Sequence, residues 1–406
     1  MQAPTLRAAT PSRPRVISIL GIGQILAWGS SYYLPAVLAT AVTADTGWPA
    51  GWVLGALSIG LLISGLVSPR VGHLIERHGG RPVLAVSVLL LAAGLVIQAL
   101  APHVAVFVLA WVVIGVGMGA GLYDPAFSTL TRLYGEAARS AITSLTLWGG
   151  FASTVCWPFT AFLVAHVGWR GASLAYAAIH LLIVLPMYWF GLPREAAAPP
   201  PAAAKPGATN AERPSAIRQY RGFLLILAVS FTVASIIMTV IAVHLIAILQ
   251  DRGFSLATAV WLGMLIGPSQ VGARLLEAMF GRRAHPIWSL VACTAAVVVG
   301  LATLMGRVEF VAIGLVLYGG GNGLRSIARG TVPLAMFGRE GYAVLMGWLA
   351  MPVLVAQAIS PSIGELMIGH LGTDLTIACL TGLAALNLVA TLWLVPAALR
   401  RGVATG

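Results

Sequence analysis

Apolar runs follow one another along this chain from residue 16 to residue 398, and they leave it few ways to fold. Many extend for 18 residues or more, the length a helix needs to cross about 30 Å of hydrocarbon. In lipid every peptide N–H and C=O must be bonded within the chain, so only helices and closed barrels can span it. A barrel would show short alternating segments, and none occur here. Only 9% of the 406 residues are charged and 59% are hydrophobic, whereas a water-exposed surface needs roughly a quarter charged. The expectation is an all-α membrane protein.

Runs read against breakers predict twelve spans. Six lie near 16–41, 50–68, 82–101, 104–128, 140–165 and 171–191, and six near 222–249, 256–279, 286–305, 310–332, 342–369 and 375–398. The first run exceeds 20 residues, longer than the apolar region of a signal peptide, so it reads as a retained span. Arginines at 7, 13, 15, 70, 77, 81, 132, 139, 194, 213, 218, 221, 282, 283, 339, 400 and 401, with Lys205, fall on one side. Only Arg170, Arg252 and Arg307 fall on the other. The positive-inside rule then puts both termini in the cytoplasm. This asymmetry accounts for the net charge of +12, and no nucleic-acid partner is expected. The organisation reads as a tail (1–14), a six-helix half (15–192), a Pro/Ala-rich linker (193–221), a second six-helix half (222–399) and a tail (400–406). The linker composition is that of a flexible connector.

The halves repeat. Val71-Gly72 matches Val271-Gly272 at an offset of 200, Glu76 matches Glu277 at 201, and Gly79 and Arg81 match Gly281 and Arg283 at 202. Gly119, Gly121, Leu122 and Thr129 match Gly321, Gly323, Leu324 and Thr331 at 202, and His166 and Gly168 match His370 and Gly372 at 204. Two pseudo-symmetric halves in the same orientation place a substrate site at their interface near the bilayer midplane.

Gly72-His73-Leu74-Ile75-Glu76-Arg77-His78-Gly79-Gly80-Arg81 resembles the loop between spans two and three of the major facilitator superfamily, with Glu76 in place of the usual aspartate. The resemblance implies a conformational latch built on Gly72, Glu76, Arg77, Gly79 and Arg81, with Glu277 and Arg283 from the second copy. Its carboxylate and arginines would bond neighbouring helix ends. The bland alternative is a basic loop that only sets topology. A weaker likeness is to monocarboxylate and oxalate–formate carriers. It rests on Asp45-Thr46-Gly47-Trp48, on Tyr123-Asp124-Pro125-Ala126, and on Gln270-Val271-Gly272-Ala273-Arg274. There the last arginine meets a substrate carboxylate. Asp124 stands where those carriers have asparagine, Gln270 where they have an acid, and the lysine some of them carry in span one or eleven is absent.

Charges inside hydrocarbon are costly and mark candidate sites. Arg274, with Gln270 one turn before it, either binds a carboxylate through its planar fork or pairs with Glu277. Arg325 and Arg329 share a helix face, with Asn322 one turn before Arg325. The repeat register sets Tyr123 and Asp124 opposite Arg325 and Ser326, so an Asp124–Arg325 pair across the cavity is expected. The alternative has Arg329 snorkelling to the interface and Asp124 capping a helix end. Gln24, Trp28, Ser31 and Tyr32 form a polar-aromatic stripe suited to a small ligand. An interfacial aromatic belt explains Tyr32 and Tyr33 equally well. His244 and Glu365 are candidate proton sites, or simply hydrogen-bond partners near a span end. Gln357 and Asn387 read as interhelical hydrogen-bond partners.

The three cysteines lie in apolar runs without metal spacing, and no cofactor or metal is expected. No nucleotide-binding G-x-x-x-x-G-K-[ST] loop occurs, so energy would come from a gradient. The leading reading is a secondary transporter for a small organic anion, with protons or another ion as coupling partner, lipids around it, and a monomer as in much of the superfamily. One lysine beside 23 arginines suits a GC-rich bacterial genome and hence the bacterial inner membrane. Drug or metabolite efflux ranks second, because span five lacks the order of the exporters' glycine–proline motif. A membrane enzyme or sensor is remote, since no nucleophile–base set or output domain is present.

Overall fold

The computed structural model describes residues 12–194, 221–281, 284–306 and 308–404. The expected linker (195–220 of it), residues 1–11 and 405–406 of the tails, and Arg283 lie outside the described residues. No strand occurs among those described. Eight helical stretches are long and apolar enough to cross a membrane, two of them 54 and 59 residues long. Their rim is hydrocarbon-compatible: Phe190, Leu182 and Trp393 are 81, 76 and 75% exposed, which in water would be a large apolar patch.

The first part of the chain holds α1 (Arg13–Gly29), α2 (Pro35–Thr46), α3 (Ala50–His78), α4 (Gly80–Ala99) and α5 (Val104–Gly121). It continues with α6 (Tyr123–Tyr134), α7 (Ala138–Gly150), α8 (Ala152–Ile179) and α9 (Leu185–Gly191). The second part holds α10 (Arg221–Asp251), α11 (Leu256–Met264), α12 (Ile266–Phe280), α13 (Pro286–Met305), α14 (Val311–Phe337) and α15 (Tyr342–Ala404).

Where helices break, the sequence gives the reason. α2 opens on Pro35, whose missing N–H suits a first helical position. The α5–α6 break falls at Leu122, with ψ −157°. Pro125 follows it and cannot donate to the carbonyl of Gly121 four residues back. The motif read as a loop is helical instead: α3 runs through His73, Glu76 and Arg77 and stops only at Gly79, where φ is +83°. Nothing before that glycine forces an end, and Arg77 and His78 complement the negative helix terminus.

The repeat reappears in the backbone. Left-handed glycines pair as Gly47 with Gly253, Gly135 with Gly338 and Gly168 with Gly372. Gly168 and Gly372, at φ 69° and 77°, are the non-helical points inside α8 and α15. They are the same His-x-Gly glycines that match in sequence. The symmetry is imperfect, because Gly79 is left-handed while Gly281 is ordinary αR.

One core cluster, around Leu91, Leu95, Trp111 and Tyr176, lies almost wholly in the first part, and another, around Val240, Leu249, Leu301 and Leu315, lies in the second. A third crosses between them, bringing Phe127, Ala141 and Ile142 against Val332, Tyr342 and Met346. Here α3 and α15 approach backbone to backbone. A Cβ on Gly72 would sit 2.4 Å from the Ala343 carbonyl oxygen, and one on Gly347 2.4 Å from that of Ser68.

This packing makes two glycine substitutions behave differently. Gly168→Ala meets no neighbour within 4 Å and costs about 1–3 kcal/mol through its backbone conformation alone, φ 69° with ψ 175°. Gly347→Ala adds the same methyl but forces α3 and α15 apart. Thermal melting in detergent is expected to fall in both, and labelling of a cysteine introduced at Ser144 is expected to rise only in Gly347→Ala.

Candidate functional site

The first wall of the interior comes from α1, α6 and α8. Gln24 is fully buried; its Nε2 donates to the Gly121 carbonyl at 2.7 Å and its Oε1 accepts from Trp28 Nε1 at 3.1 Å. The Gly121 carbonyl is the one Pro125 leaves without a donor, so Gln24 repairs the α5–α6 break. Ser31 is also buried and donates to the Ala27 carbonyl. The predicted stripe therefore divides: Gln24 and Ser31 serve the backbone, while Trp28 and Tyr32 stay partly exposed. Trp28 packs on Tyr32, Tyr33 and Tyr123 at 5.4, 6.2 and 5.1 Å, and Tyr33 reaches Trp157 at 6.0 Å. Tyr32 and Tyr33 are thus half-buried members of one aromatic cluster.

The second wall is cationic. Arg274 on α12 is 6% exposed. It donates to the Thr146 carbonyl on α7 at 3.0 Å and, at 3.4 Å each, to the Gly323 carbonyl and to Gln270 Oε1. It forms no ion pair with Glu277, which bonds Ser289 at 2.7 Å and faces Arg139 at 3.8 Å. Asn322 is buried and donates to the Tyr318 carbonyl. Arg325 donates to Met238 Sδ at 2.7 Å, and its Nε has no partner.

The expected Asp124–Arg325 pair does not form. Asp124 is held instead by Arg329, in a two-pronged bond of 3.0 and 2.7 Å with both side chains 15% exposed. The break at Leu122 restarts the helix, so Asp124 no longer keeps the register that the glycines of α5 suggest. Nor does Arg329 snorkel to the interface. A useful signal was in the sequence: 205 residues separate Asp124 from Arg329, close to the repeat offset, and equivalent positions of two halves meet at their common axis.

Other predicted residues are scattered. At the arginine-rich end Glu76 lies 3.7 Å from Arg132, Arg81 stacks over Trp189 at 4.9 Å, and Arg77 is exposed. Sequence reasoning missed Arg139, which donates to the Gly281 and Ala284 carbonyls at 2.8 Å each and so ties α7 to the α12–α13 turn. Trp157 was likewise overlooked. His244 donates to the Pro361 carbonyl at 3.1 Å, while Glu365 is exposed and does not pair with it. No cluster of three or more metal-ligating side chains occurs among the described residues.

Residues 20–307 match the profile of the Major Facilitator Superfamily. Mouse monocarboxylate transporter 11 is 30% identical over 142 residues, which are 34% of this chain and 29% of that protein. The matched stretch thus spans under a third of the relative's length. Among solved structures, the human organic anion transporter MFSD10 superposes with a TM-score of 0.74 at 16% identity, over 94% of this chain and 100% of that one. The transporter FucP, in its outward conformation, gives 0.69 at 15% identity over 93% and 98%.

Two predictions follow from the geometry. Asp124→Asn strands the Arg329 guanidinium and is expected to cost about 3–5 kcal/mol, read as a fall in detergent melting temperature; Asp124→Asn with Arg329→Gln should recover most of it. At the arginine-rich end, partial burial and then the Arg139 charge hold His285 below its ordinary 6.5. Its Nδ1 accepts from Ile287 N–H to cap α13, which needs the neutral ring. A base with a depressed pKa stabilises above its unfolded value, and that stability is lost as pH falls below it. Melting temperature should therefore drop from pH 7 to pH 5, and His285→Asn, which retains a capping oxygen, should flatten that slope.

Proposed function

The chain belongs to the major facilitator superfamily of transporters, and on that premise we propose that it carries a small organic anion across the bacterial inner membrane by alternating access, driven by an ion gradient. One observation carries the choice of an anion. Arg274 and Arg325 lie inside the apolar body and form no ion pair with a carboxylate among the described residues, while the nearby acid Asp124 is already taken by Arg329. An unpaired guanidinium in low dielectric is costly, and an incoming carboxylate removes that cost through charge-assisted, planar bonding. The names of two similar proteins, a monocarboxylate transporter and an organic anion transporter, point the same way.

In this reading the eight apolar stretches become twelve passes. The two longest bend at Gly168 and Gly372, α1 with α2 forms the first pass, and α14, less apolar because of its arginines, forms the tenth. The halves 15–192 and 222–399 rock about the substrate, with both termini cytoplasmic. The polar bonds between the parts, from Arg139, Arg274 and Arg329, hold the cytoplasmic side shut, so the described state faces outward. Glu76 with Arg132 and Glu277 with Arg139 act as latches. Asp124 is the proton-sensitive gate, because its protonation releases Arg329; His244 and Glu365 are secondary proton sites. Efflux of an apolar drug is the second reading, favoured by the aromatic wall alone, but two unpaired guanidiniums would repel a cationic drug.

The test is reconstitution into liposomes with a panel of small carboxylates, with and without an inward proton gradient. Arg325→Gln and Arg274→Gln are each expected to weaken apparent affinity about 10- to 100-fold, the loss of a charged hydrogen bond, without a matching loss of melting temperature for Arg325→Gln. Failure of active-oriented protein to take up any acid would end the anion reading.

A further inference from the structure

The interior side chains of the two parts differ in kind, and the difference narrows the substrate. On the second part stand guanidiniums; on the first stand rings. Trp28 lies 5.4 Å from Tyr32 at 72°, Tyr32 lies 5.3 Å from Tyr33 at 89°, and Tyr33 lies 6.0 Å from Trp157 at 88°. These edge-to-face spacings are those at which ring quadrupoles attract, and each ring keeps some surface exposed. Trp157 is 46% exposed and follows the helix break at Phe151. Arg274 packs against the end of α7 before that break, since a Cβ on Gly150 would lie 2.5 Å from its Nη1.

One ring and one cation meet at adjacent residues: the Tyr123 hydroxyl packs against Gly149 and the Arg274 guanidinium against Gly150, and Tyr123 lies 5.1 Å from Trp28. No hydrogen bond from the protein reaches the hydroxyls of Tyr32, Tyr33 and Tyr123 among the described residues, and the Tyr123 hydroxyl faces Gly149. A short alkyl acid would satisfy the arginine and leave both the rings and the phenols without partners. A bulky saturated acid would cover the rings but could not enter an edge-to-face array as a flat plate. A flat ring with a carboxylate at one end and a polar group on its rim meets all three demands.

Resting on the anion reading above, we infer that the substrate is an aromatic carboxylate, its ring held by Trp28, Tyr33 and Trp157 and its carboxylate directed to Arg274 and Arg325. The phenol groups select ring hydroxyls on the ligand. Saturated acids of the same size bind less well because they lose the ring–ring attraction while burying similar area.

The full-length protein in proteoliposomes is offered 4-hydroxybenzoate, benzoate, cyclohexanecarboxylate and lactate in competition, and binding in detergent is followed by quenching of tryptophan fluorescence. The aromatic acids are expected to compete at about tenfold lower concentration than cyclohexanecarboxylate, a difference of ~1.4 kcal/mol. Trp28→Leu should erase the preference for the aromatic acids over cyclohexanecarboxylate. Trp157→Leu, away from the Gln24 contact, gives the same readout should Trp28→Leu fail to fold. Equal competition by the ring and its saturated counterpart, or preference for lactate with Arg325 still required, overturns the aromatic substrate and leaves the anion reading standing. Binding of no acid at all, by protein that melts normally, overturns both.

Discussion

Everything in this protein is arranged around the cost of placing a guanidinium where water cannot reach it. Three arginines donate the hydrogen bonds recorded between the two parts of the chain: Arg139 at the arginine-rich end, Arg274 and Arg329 deeper in. Arg274 and Arg139 find backbone carbonyls on the opposite part, and Arg329 finds Asp124. A carbonyl accepts a hydrogen bond without cancelling a charge, so the Arg274 link holds the parts together while leaving positive potential inside, whereas Arg139 also faces the Glu277 carboxylate. Arg325 goes further and, among the described residues, bonds neither carbonyl nor carboxylate. A membrane protein tolerates such groups where they have work to do, and binding an anion that alternately joins and releases the two walls is work of this kind.

The repeat explains why such a device is possible, and its erosion explains why it is not symmetric. Glycines with left-handed φ recur at equivalent turns, so both parts bend in the same places. The acid of the motif has been used differently, however. Glu76 pairs with Arg132 inside its own part, whereas Glu277 faces Arg139 of the other. Gly72 packs against the Ala343 backbone, while its sequence counterpart Gly272 meets no atom within 4 Å. The first copy therefore meets the other part through its glycine and the second through its acid.

Aromatic residues add the second half of the chemistry. Trp28, Tyr32 and Tyr33 come from a segment whose helix ends at Gly29 and resumes at Pro35. The break turns consecutive residues inward together, which an unbroken helix would not do. Gln24 performs a related service at the α5–α6 break, where it bonds the carbonyl orphaned by Pro125 and positions Tyr123 one residue beyond the break. Two proline-related interruptions thus bring four rings to one place.

Sequence alone was enough for the helical membrane class, because hydropathy over 18 residues is a local property and lipid permits a helix little alternative. It was enough also for the repeat, the family and the glycines at Gly168 and Gly372, since a left-handed turn demands glycine wherever it occurs. It located Arg274, Arg325 and Asp124 as groups needing a reason, because charge in hydrocarbon is conspicuous in one dimension. What only the tertiary structure decided was who meets whom. Arg329 rather than Arg325 takes Asp124, because a broken helix shifts register by an amount that no spacing rule records. Glu277 faces Arg139, not its own helix neighbour Arg274, because the second part packs against the first. Ser31 and Gln24 turned to the backbone while Trp28 turned to the cavity, although all three share a stripe. Partner choice depends on the distance between helices far apart in sequence, and packing alone sets that distance.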